Sequence, residues 1–214
     1  MYDCIVLGTG GIGSAAMWQL AKRGHRVLGL DRFPAGHDRG SSHGQTRVIR
    51  QVYFEHPDYV PLLRRSYQLW TEACQGTKES LWTQTGLVQL GPADGEVIRG
   101  VLESARQHKL PVEVLTPEEH ARRFPHLGLA PGMVSVFEPT GGVLRVEACV
   151  ERLLELASRH NAHHLHGIDI HSVVRSGPNW RVETDRGPFE SRRVIVAAGA
   201  WTGDLIPVLG PWLK

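Results

Sequence analysis

The sequence is poor in cysteine and in aromatic residues, and it has no long apolar run. Its three cysteines, Cys4, Cys74 and Cys149, are odd in number and widely spaced, and no two of them form a Cys-x-x-Cys pair. This pattern excludes a disulfide framework and a cysteine zinc site, and it is typical of a reducing compartment. The longest apolar runs, such as Val194–Ala198, are far shorter than the roughly 18 residues that a membrane helix needs.

Positive and negative charges are nearly equal in number: the sequence has 24 lysines and arginines, 22 acidic residues and a net charge of +2. No basic block is longer than a pair, so charge supports neither a nucleic-acid partner nor a membrane surface. The first residues lack the basic and apolar regions of a secretory signal. With 41% hydrophobic and 21% charged residues, the chain is predicted to be a soluble globular protein, and we expect it in the cytoplasm.

The start of the chain has the pattern of a β-α-β unit. Asp3–Leu7 is a short apolar run typical of a buried strand, Ile12–Lys22 carries Ala and Leu at helical spacing, and Arg26–Leu30 is a second apolar run. Parallel strands need a helical crossover of this kind. The order of the elements therefore predicts an α/β fold with a parallel sheet.

A glycine-rich sequence joins the first predicted strand to the first helix. Gly8-Thr9-Gly10-Gly11-Ile12-Gly13 fits the G-x-G-x-x-G pattern, whose glycines allow a tight turn, the approach of a pyrophosphate and close helix–strand packing. Asp31 follows Gly13 by 18 residues, at a strand end where a carboxylate can bind a ribose hydroxyl and would repel the 2′-phosphate of NADP. These features predict a dinucleotide site, and the choice between FAD and NAD stays open at this point.

The pattern of elements changes at two places along the chain. The polar loop Arg32–Gly44 and an amphipathic helix precede a block in which strands and helices do not alternate. Within this block, Trp82-Thr83 and Leu87–Leu90 predict a hairpin. After Gly141-Gly142 the α/β pattern returns, with a helix over Val146–Ala157. We therefore expect a dinucleotide-binding domain made of residues 1–80 and 141–214, with an α+β insertion at 81–140.

A second pattern favours FAD over NAD. The run Val194–Trp201 leads from a strand into small residues, which resembles the second dinucleotide motif of FAD-dependent oxidoreductases. Small residues there would let the strand end approach a cofactor. The alternative interpretation is a buried strand followed by a glycine turn.

The segment Gly40–Arg50, GSSHGQTRVIR, is the most specific part of the sequence. Arg47 and Arg50 would share one face if the backbone were helical there. Guanidinium groups bind carboxylates through paired hydrogen bonds, so the segment suits an anionic ligand. The alternative is a solvated basic loop.

Together with the glycine-rich loop, this segment resembles the monomeric sarcosine oxidase family. That family includes N-methyltryptophan oxidase and the peroxisomal sarcosine/pipecolate oxidases, and it belongs to the D-amino-acid oxidase superfamily. Further matches in the family's order are Gln84–Leu87, Phe137–Pro139, Gly141–Leu144 and Ala198–Trp201. The resemblance covers essentially the whole chain. It implies an incomplete Rossmann-like FAD-binding domain with a partial α+β substrate domain inserted into it.

The resemblance also implies roles for individual residues. Arg50 would bind the substrate carboxylate, and Arg47 and His43 would lie near the flavin ring. The implied reaction oxidises the C–N bond of a secondary amino acid such as sarcosine to an imine, with O2 reduced to H2O2, in a protein that acts as a monomer. The residues expected to contact FAD are Gly8, Gly10, Gly11, Ile12, Gly13, Asp31, Arg32, Ser42, Thr46, Ile170 (through its backbone), Ala198, Gly199 and Trp201.

A cluster of histidines raises the alternative of a metal site. His164 and His166 would share one face of a strand. No cysteine or carboxylate pattern completes such a site, and the resembled family binds no metal here, so we predict a solvated strand edge and no metal. The histidines concerned are His160, His163, His164, His166 and His171.

Members of the resembled family are considerably longer than this chain. The resemblance implies that a C-terminal portion is missing, including the cysteine that bonds the flavin covalently and lysines near the flavin and the substrate. Two alternatives to an active oxidase therefore stay open. One is a truncated, inactive fragment that binds FAD weakly or not at all. The other is a different flavoenzyme of the superfamily, such as a D-amino-acid or glycine oxidase, against which the Arg47/Arg50 pair argues.

Overall fold

The computed structural model describes residues 1–77 and 80–212, and the chain forms two compact units. The first unit contains residues 1–46 together with the chain from Arg145 onward, and the second contains Arg47–Leu144. Leu213 and Lys214, which end the predicted 141–214 segment, lie outside the described residues. The predicted domain boundaries near residues 80 and 140 stay a prediction.

The described residues form twelve strands and six α-helices. None of these helices is long and apolar enough to cross a membrane. The strands are β1 (Tyr2–Leu7), β2 (Val27–Leu30), β3 (Thr46–Ile49), β4 (Trp82–Thr83), β5 (Leu87–Pro92), β6 (Glu113–Leu115), β7 (Met133–Glu138), β8 (Gly142–Arg145), β9 (His163–Leu165), β10 (Ile170–Ser176), β11 (Asn179–Thr184) and β12 (Phe189–Val196). The helices are α1 (Gly11–Lys22), α2 (Val60–Ala73), α3 (Glu96–His108), α4 (Pro117–Arg123), α5 (Val146–Arg159) and α6 (Thr202–Leu205).

The first unit is built on a six-stranded sheet with the order β10-β11-β12-β1-β2-β9. Strands β12, β1, β2 and β9 run parallel, and β10 and β11 join them as an antiparallel pair. Fully buried aliphatic side chains, among them Ile5, Leu7, Leu28 and Leu30, form its core. Strands with such side chains can be buried on both faces, as parallel sheets require. The predicted α/β fold is confirmed.

Helices α1 and α5 pack against each other in the first unit. The buried residues of α5 include Val146, Val150, Leu153 and Ala157, a spacing of three and four residues that places them on one face. Just beyond the helix, Asn161 takes a left-handed conformation with φ of 63°, which asparagine tolerates better than most residues. The helix predicted over Val146–Ala157 is present as α5.

The second unit contains the three-stranded sheets β3-β8-β4 and β5-β7-β6. Helix α3 lies against β5, and Val60, Ile98, Val101 and Val136 belong to one buried cluster. Helix α4 begins with a capping box in which the Thr116 hydroxyl and the Glu119 carboxylate each accept a backbone N–H from the other residue.

The predicted hairpin between β4 and β5 is wrong. Strand β4 pairs with β8, and β5 pairs with β7 in a different sheet. Gly86 turns the chain between them with φ of 72°, and a Cβ on Gly142 would overlap the carbonyl oxygen of Thr83. The close approach that Gly142 allows lets β8 lie beside β4, so a pairing between distant residues replaces the local one.

The fully buried carboxylate of Glu138 links two segments of the second unit that are far apart in the sequence. Glu138 accepts hydrogen bonds from the backbone N–H groups of Gln51 (2.7 Å) and Val52 (3.3 Å) and from the hydroxyl of Thr140 (2.8 Å). Burial raises the pKa of the nearby Tyr67, and the charge of Glu138 raises it further. Because Gln51 directly follows Arg50, Glu138 fixes the backbone next to that arginine.

We expect Glu138→Gln to lower the free energy of unfolding by about 1–3 kcal/mol, because its amide nitrogen would face a donor that the carboxylate now satisfies. The matched control is Glu118→Gln on the exposed first turn of α4, with an expected change below about 0.5 kcal/mol. Chemical denaturation followed by circular dichroism measures both. Equal stabilities for the two variants would contradict the role given to Glu138.

Candidate functional site

The glycine-rich loop lies where β1, β12 and α1 meet. Gly8 has φ of 86°, and a Cβ on it would lie 2.5 Å from the carbonyl oxygen of Ala197. A Cβ on Gly13 would overlap the carbonyl oxygen of Gly8. Both positions therefore require glycine for the first turn of α1 to reach the ends of these strands.

A cavity of about 510 Å³ opens in the first unit at the carboxyl ends of β12, β1 and β2. Ligands of open α/β sheets bind at such strand ends. Most of the residues predicted to contact a cofactor line it, namely Gly8, Gly10, Gly11, Ile12, Asp31, Arg32, Ser42, Ile170, Ala198, Gly199 and Trp201. Gly13 is buried behind the loop, and Thr46 is exposed at the start of β3; neither is among the lining residues.

Other lining residues were not found from the sequence. Thr9 lies between the glycines of the motif. Phe33 and His37 lie in the Arg32–Gly44 loop, and His171 lies in β10. The position of Thr9 inside the glycine-rich motif was a signal that could have identified it. For Phe33, His37 and His171, the sequence carries no comparable signal.

Asp31 lies at the end of β2, almost fully buried at 7% exposure. Its Oδ2 accepts the backbone N–H of Thr9 at 2.6 Å and the Thr9 hydroxyl at 2.9 Å, and its Oδ1 accepts the N–H of Phe33 at 2.9 Å. Its own backbone N–H donates to Leu165, and its carbonyl accepts from Ile168, both at 3.0 Å. The carboxylate that was predicted to bind ribose is thus already part of the loop's hydrogen bonding.

The N-terminus of α1 carries a hydroxyl acceptor from the Arg32–Gly44 loop. Ser42 Oγ accepts the N–H of Gly11 at 2.9 Å. The first backbone N–H groups of a helix have no partner inside the helix and favour an acceptor or an anion. Glu147 holds the end of the same loop by accepting the N–H groups of Gly44 and Gln45; these bonds, that of Gln45 first, lower the pKa of Glu147.

The segment that carries Arg47 and Arg50 is extended, so the condition under which the two arginines would share one helical face is not met. Thr46–Ile49 forms β3, and Arg50 follows it directly. Residues three apart on an extended chain point to opposite sides. The hydrogen bonding of Thr46–Ile49 in a sheet replaces the helix that would have aligned the two arginines.

Arg50 is held in the second unit by two aromatic rings and a carboxylate. Its guanidinium carbon lies 4.5 Å from the ring centre of Tyr53 and 5.6 Å from that of Phe54. Its Nη2 donates to Glu55 Oε1 at 3.2 Å. Its Nε is buried and has no hydrogen-bond partner within the described residues. Arg47 is exposed on β3, and His43 is exposed on the Arg32–Gly44 loop of the first unit.

The histidines around β9 have polar partners of their own. Tyr2 and His163 share a hydrogen bond, and His164 Nε2 lies 3.0 Å from Thr9 Oγ1. Burial lowers the pKa of His164, His166 adds to this, and the charge of Asp31 opposes it. Residues 1–77 and 80–212 contain no group of three or more histidine, cysteine, aspartate or glutamate residues placed to hold a metal ion.

Comparison with known proteins gives matches along almost the whole chain. The sequence family described as FAD dependent oxidoreductase matches residues 3–213. A monomeric sarcosine oxidase from Streptomyces avermitilis is 42% identical over 211 residues, which cover 98% of this chain and 54% of that protein. An N-methyl-L-tryptophan oxidase from Yersinia pestis is 34% identical over 208 residues, which cover 97% of this chain and 56% of that protein.

A solved structure is also similar to this chain along almost its whole length. A variant of NikD, an unusual amino acid oxidase essential for nikkomycin biosynthesis, matches with a TM-score of 0.86 at 30% identity, covering 98% of this chain and 54% of that one. The chain therefore spans about half the length of the curated relatives that it matches.

We expect Gly13→Ala to lower the free energy of unfolding by about 1–3 kcal/mol, because the added methyl group forces α1 away from the backbone of Gly8. Gly128→Ala is the control, since a Cβ there meets nothing within 4 Å. Thermal and chemical denaturation of both variants measure the difference. A Gly13→Ala protein as stable as the Gly128→Ala protein would show that the close approach is not a constraint.

Proposed function

The chain belongs to the family of FAD dependent oxidoreductases, and we propose that it binds FAD and contributes to the oxidation of a secondary, N-methylated amino acid such as sarcosine. Its similarity to a sarcosine oxidase and an N-methyl-L-tryptophan oxidase confirms the resemblance found in the sequence. Both of these names specify N-methyl amino acids, which supports the substrate class.

The observation that carries the proposal is the cavity at the carboxyl ends of β12, β1 and β2. It combines the N-terminus of α1, the carboxylate of Asp31 and the small residues Ala197 and Ala198 around one space. The side chain of Ile12, 78% exposed, also lines this space and offers an apolar contact. A dinucleotide needs donors for its phosphates, an acceptor for its ribose and apolar contacts for its rings. The residues present therefore fit FAD.

Several groups of this chain would hold the cofactor. The backbone at Gly10 and Gly11 would take the pyrophosphate at the N-terminus of α1, where the phosphate would replace Ser42 as acceptor of the Gly11 N–H, and Asp31 would accept a ribose hydroxyl. Ile170 would contact the adenine, and the turn after β12 would lie against the remainder of the cofactor. When bound, FAD would accept a hydride equivalent from the carbon next to the amine nitrogen and pass two electrons to dioxygen, giving an imine and hydrogen peroxide.

Arg50 is the residue that we propose for binding the substrate carboxylate. The Nε and Nη2 groups of an arginine present two parallel donors to a carboxylate. In this chain Nε has no partner among the described residues, and Nη2 donates to both carboxylate oxygens of the half-exposed Glu55, at 3.2 and 3.5 Å. Tyr53 and Phe54 fix the plane of the guanidinium. A substrate carboxylate could therefore take both donors by displacing Glu55.

The test of the cofactor proposal is the visible absorption of the purified chain after incubation with FAD and removal of free FAD. We expect a retained flavin band, which Asp31→Asn weakens and Asp38→Asn, at an exposed aspartate, leaves unchanged. Acid precipitation then tells whether the flavin is released to the supernatant and is therefore noncovalent. A wild-type chain that retains no flavin would contradict the proposal.

For the substrate proposal, we expect Arg50→Ala to weaken the binding of acetate, a minimal carboxylate, by about 10- to 100-fold, because a charge-assisted hydrogen bond is worth about 1.5–3 kcal/mol. Titration calorimetry with acetate on the purified chain measures this change. Arg65→Ala is the control, since Arg65 is exposed and bonds only to Gln68 in the described hydrogen bonding of its side chain. Equal acetate affinities for the two variants would remove Arg50 from this role.

A further inference from the structure

A polar link joins the glycine-rich loop, which lines the cavity, to the edge strand β9. Thr9 Oγ1 donates to Asp31 Oδ2 at 2.9 Å, and the same oxygen lies 3.0 Å from His164 Nε2. Thr9 is almost fully buried, and His164 is half-buried. The link connects residues that are 155 positions apart in the chain.

The direction of the second hydrogen bond follows from the first. A threonine hydroxyl has one hydrogen to donate and can accept further hydrogen bonds. Since the hydroxyl of Thr9 donates to Asp31, it accepts from His164, and Nε2 must carry a hydrogen. The chain of donors therefore runs from His164 to Thr9 to Asp31.

The pairing of β2 with β9 gives His164 its access to Thr9. Gly29 of β2 pairs with His164 of β9. A Cβ on Gly29 would lie 3.0 Å from Thr9 Cγ2 and would overlap the sulfur of Met17. Glycine at this position leaves room for Thr9 over β2, within hydrogen-bond distance of the histidine on the neighbouring strand.

The link determines which oxygen of Asp31 can bind a ligand. Oδ2 already accepts two hydrogen bonds, both from Thr9, whereas Oδ1 accepts one, from Phe33. Each carboxylate oxygen has about two acceptor positions. Oδ1 keeps one of them, and Asp31 lines the cavity. His37 Nε2 is 3.9 Å from Oδ1, beyond hydrogen-bond distance.

We propose that His164 is a positioning residue for the cofactor's ribose, which acts through the hydroxyl of Thr9 to aim Asp31 Oδ1 at a ribose hydroxyl. This inference rests on the proposed binding of FAD and assigns the recognition of its adenosine ribose to a three-residue relay. Burial lowers the pKa of His164, so the histidine acts as a neutral donor.

The test compares ADP with 2′-deoxy-ADP as probes, measured by titration calorimetry on the 214-residue chain. We expect wild type to bind ADP about tenfold more tightly, as one charge-assisted hydrogen bond predicts. In His164→Ala this ratio should fall below about threefold. His164→Gln, whose amide can donate from a similar reach, should restore it, and His166→Ala, which changes an exposed histidine, should leave it unchanged.

Thr9→Val is the second route to the same result, because it removes the hydroxyl and keeps the backbone N–H bond to Asp31. It should lower the ratio as His164→Ala does, and the double variant should lose no more than either single one. A His164→Ala protein that binds ADP with the wild-type ratio, even at reduced thermal stability, overturns this inference alone. A wild-type chain that binds no ADP overturns the proposed cofactor site as well.

Discussion

The absence of a side chain at Gly8 and Gly13 is the constraint on which the rest of this structure depends. Their backbones and that of Ala197 come so close that a Cβ at either glycine would meet a carbonyl oxygen. This approach brings the N-terminus of α1 to the carboxyl ends of β1 and β12. The cavity exists because these three elements meet there, and its donors are the helix N–H groups that the same packing leaves without helical partners.

Asp31 connects folding with the proposed ligand binding at this place. A buried carboxylate is costly unless hydrogen bonds satisfy it, and the loop supplies them from Thr9 and Phe33. These bonds also set the position of the group that faces the cavity. The same hydrogen bonds that stabilise the buried charge therefore hold the carboxylate in position for a hydroxyl donor. This lowers the entropy cost of ordering the carboxylate when a ligand binds.

In the second unit, neighbouring groups hold Arg50 in position in a similar way. Glu138 fixes the backbone after this arginine, and aromatic rings fix its guanidinium plane. The chain spans about half the length of its curated relatives. The family membership is thus shown for this chain, while the turnover of an amino acid stays a proposal.

Local rules determined much of this protein. The apolar runs, the G-x-G-x-x-G loop and the α5 stripe depend on neighbours within a few residues, so the sequence alone predicted them. The tertiary structure alone decided the partner of β4, the extended backbone at Arg47 and Arg50, and the link from His164 through Thr9 to Asp31. The physical reason is that these contacts join residues far apart in the chain. Which distant strand or side chain becomes a neighbour is settled by the packing of the whole unit, and no local pattern contains that information.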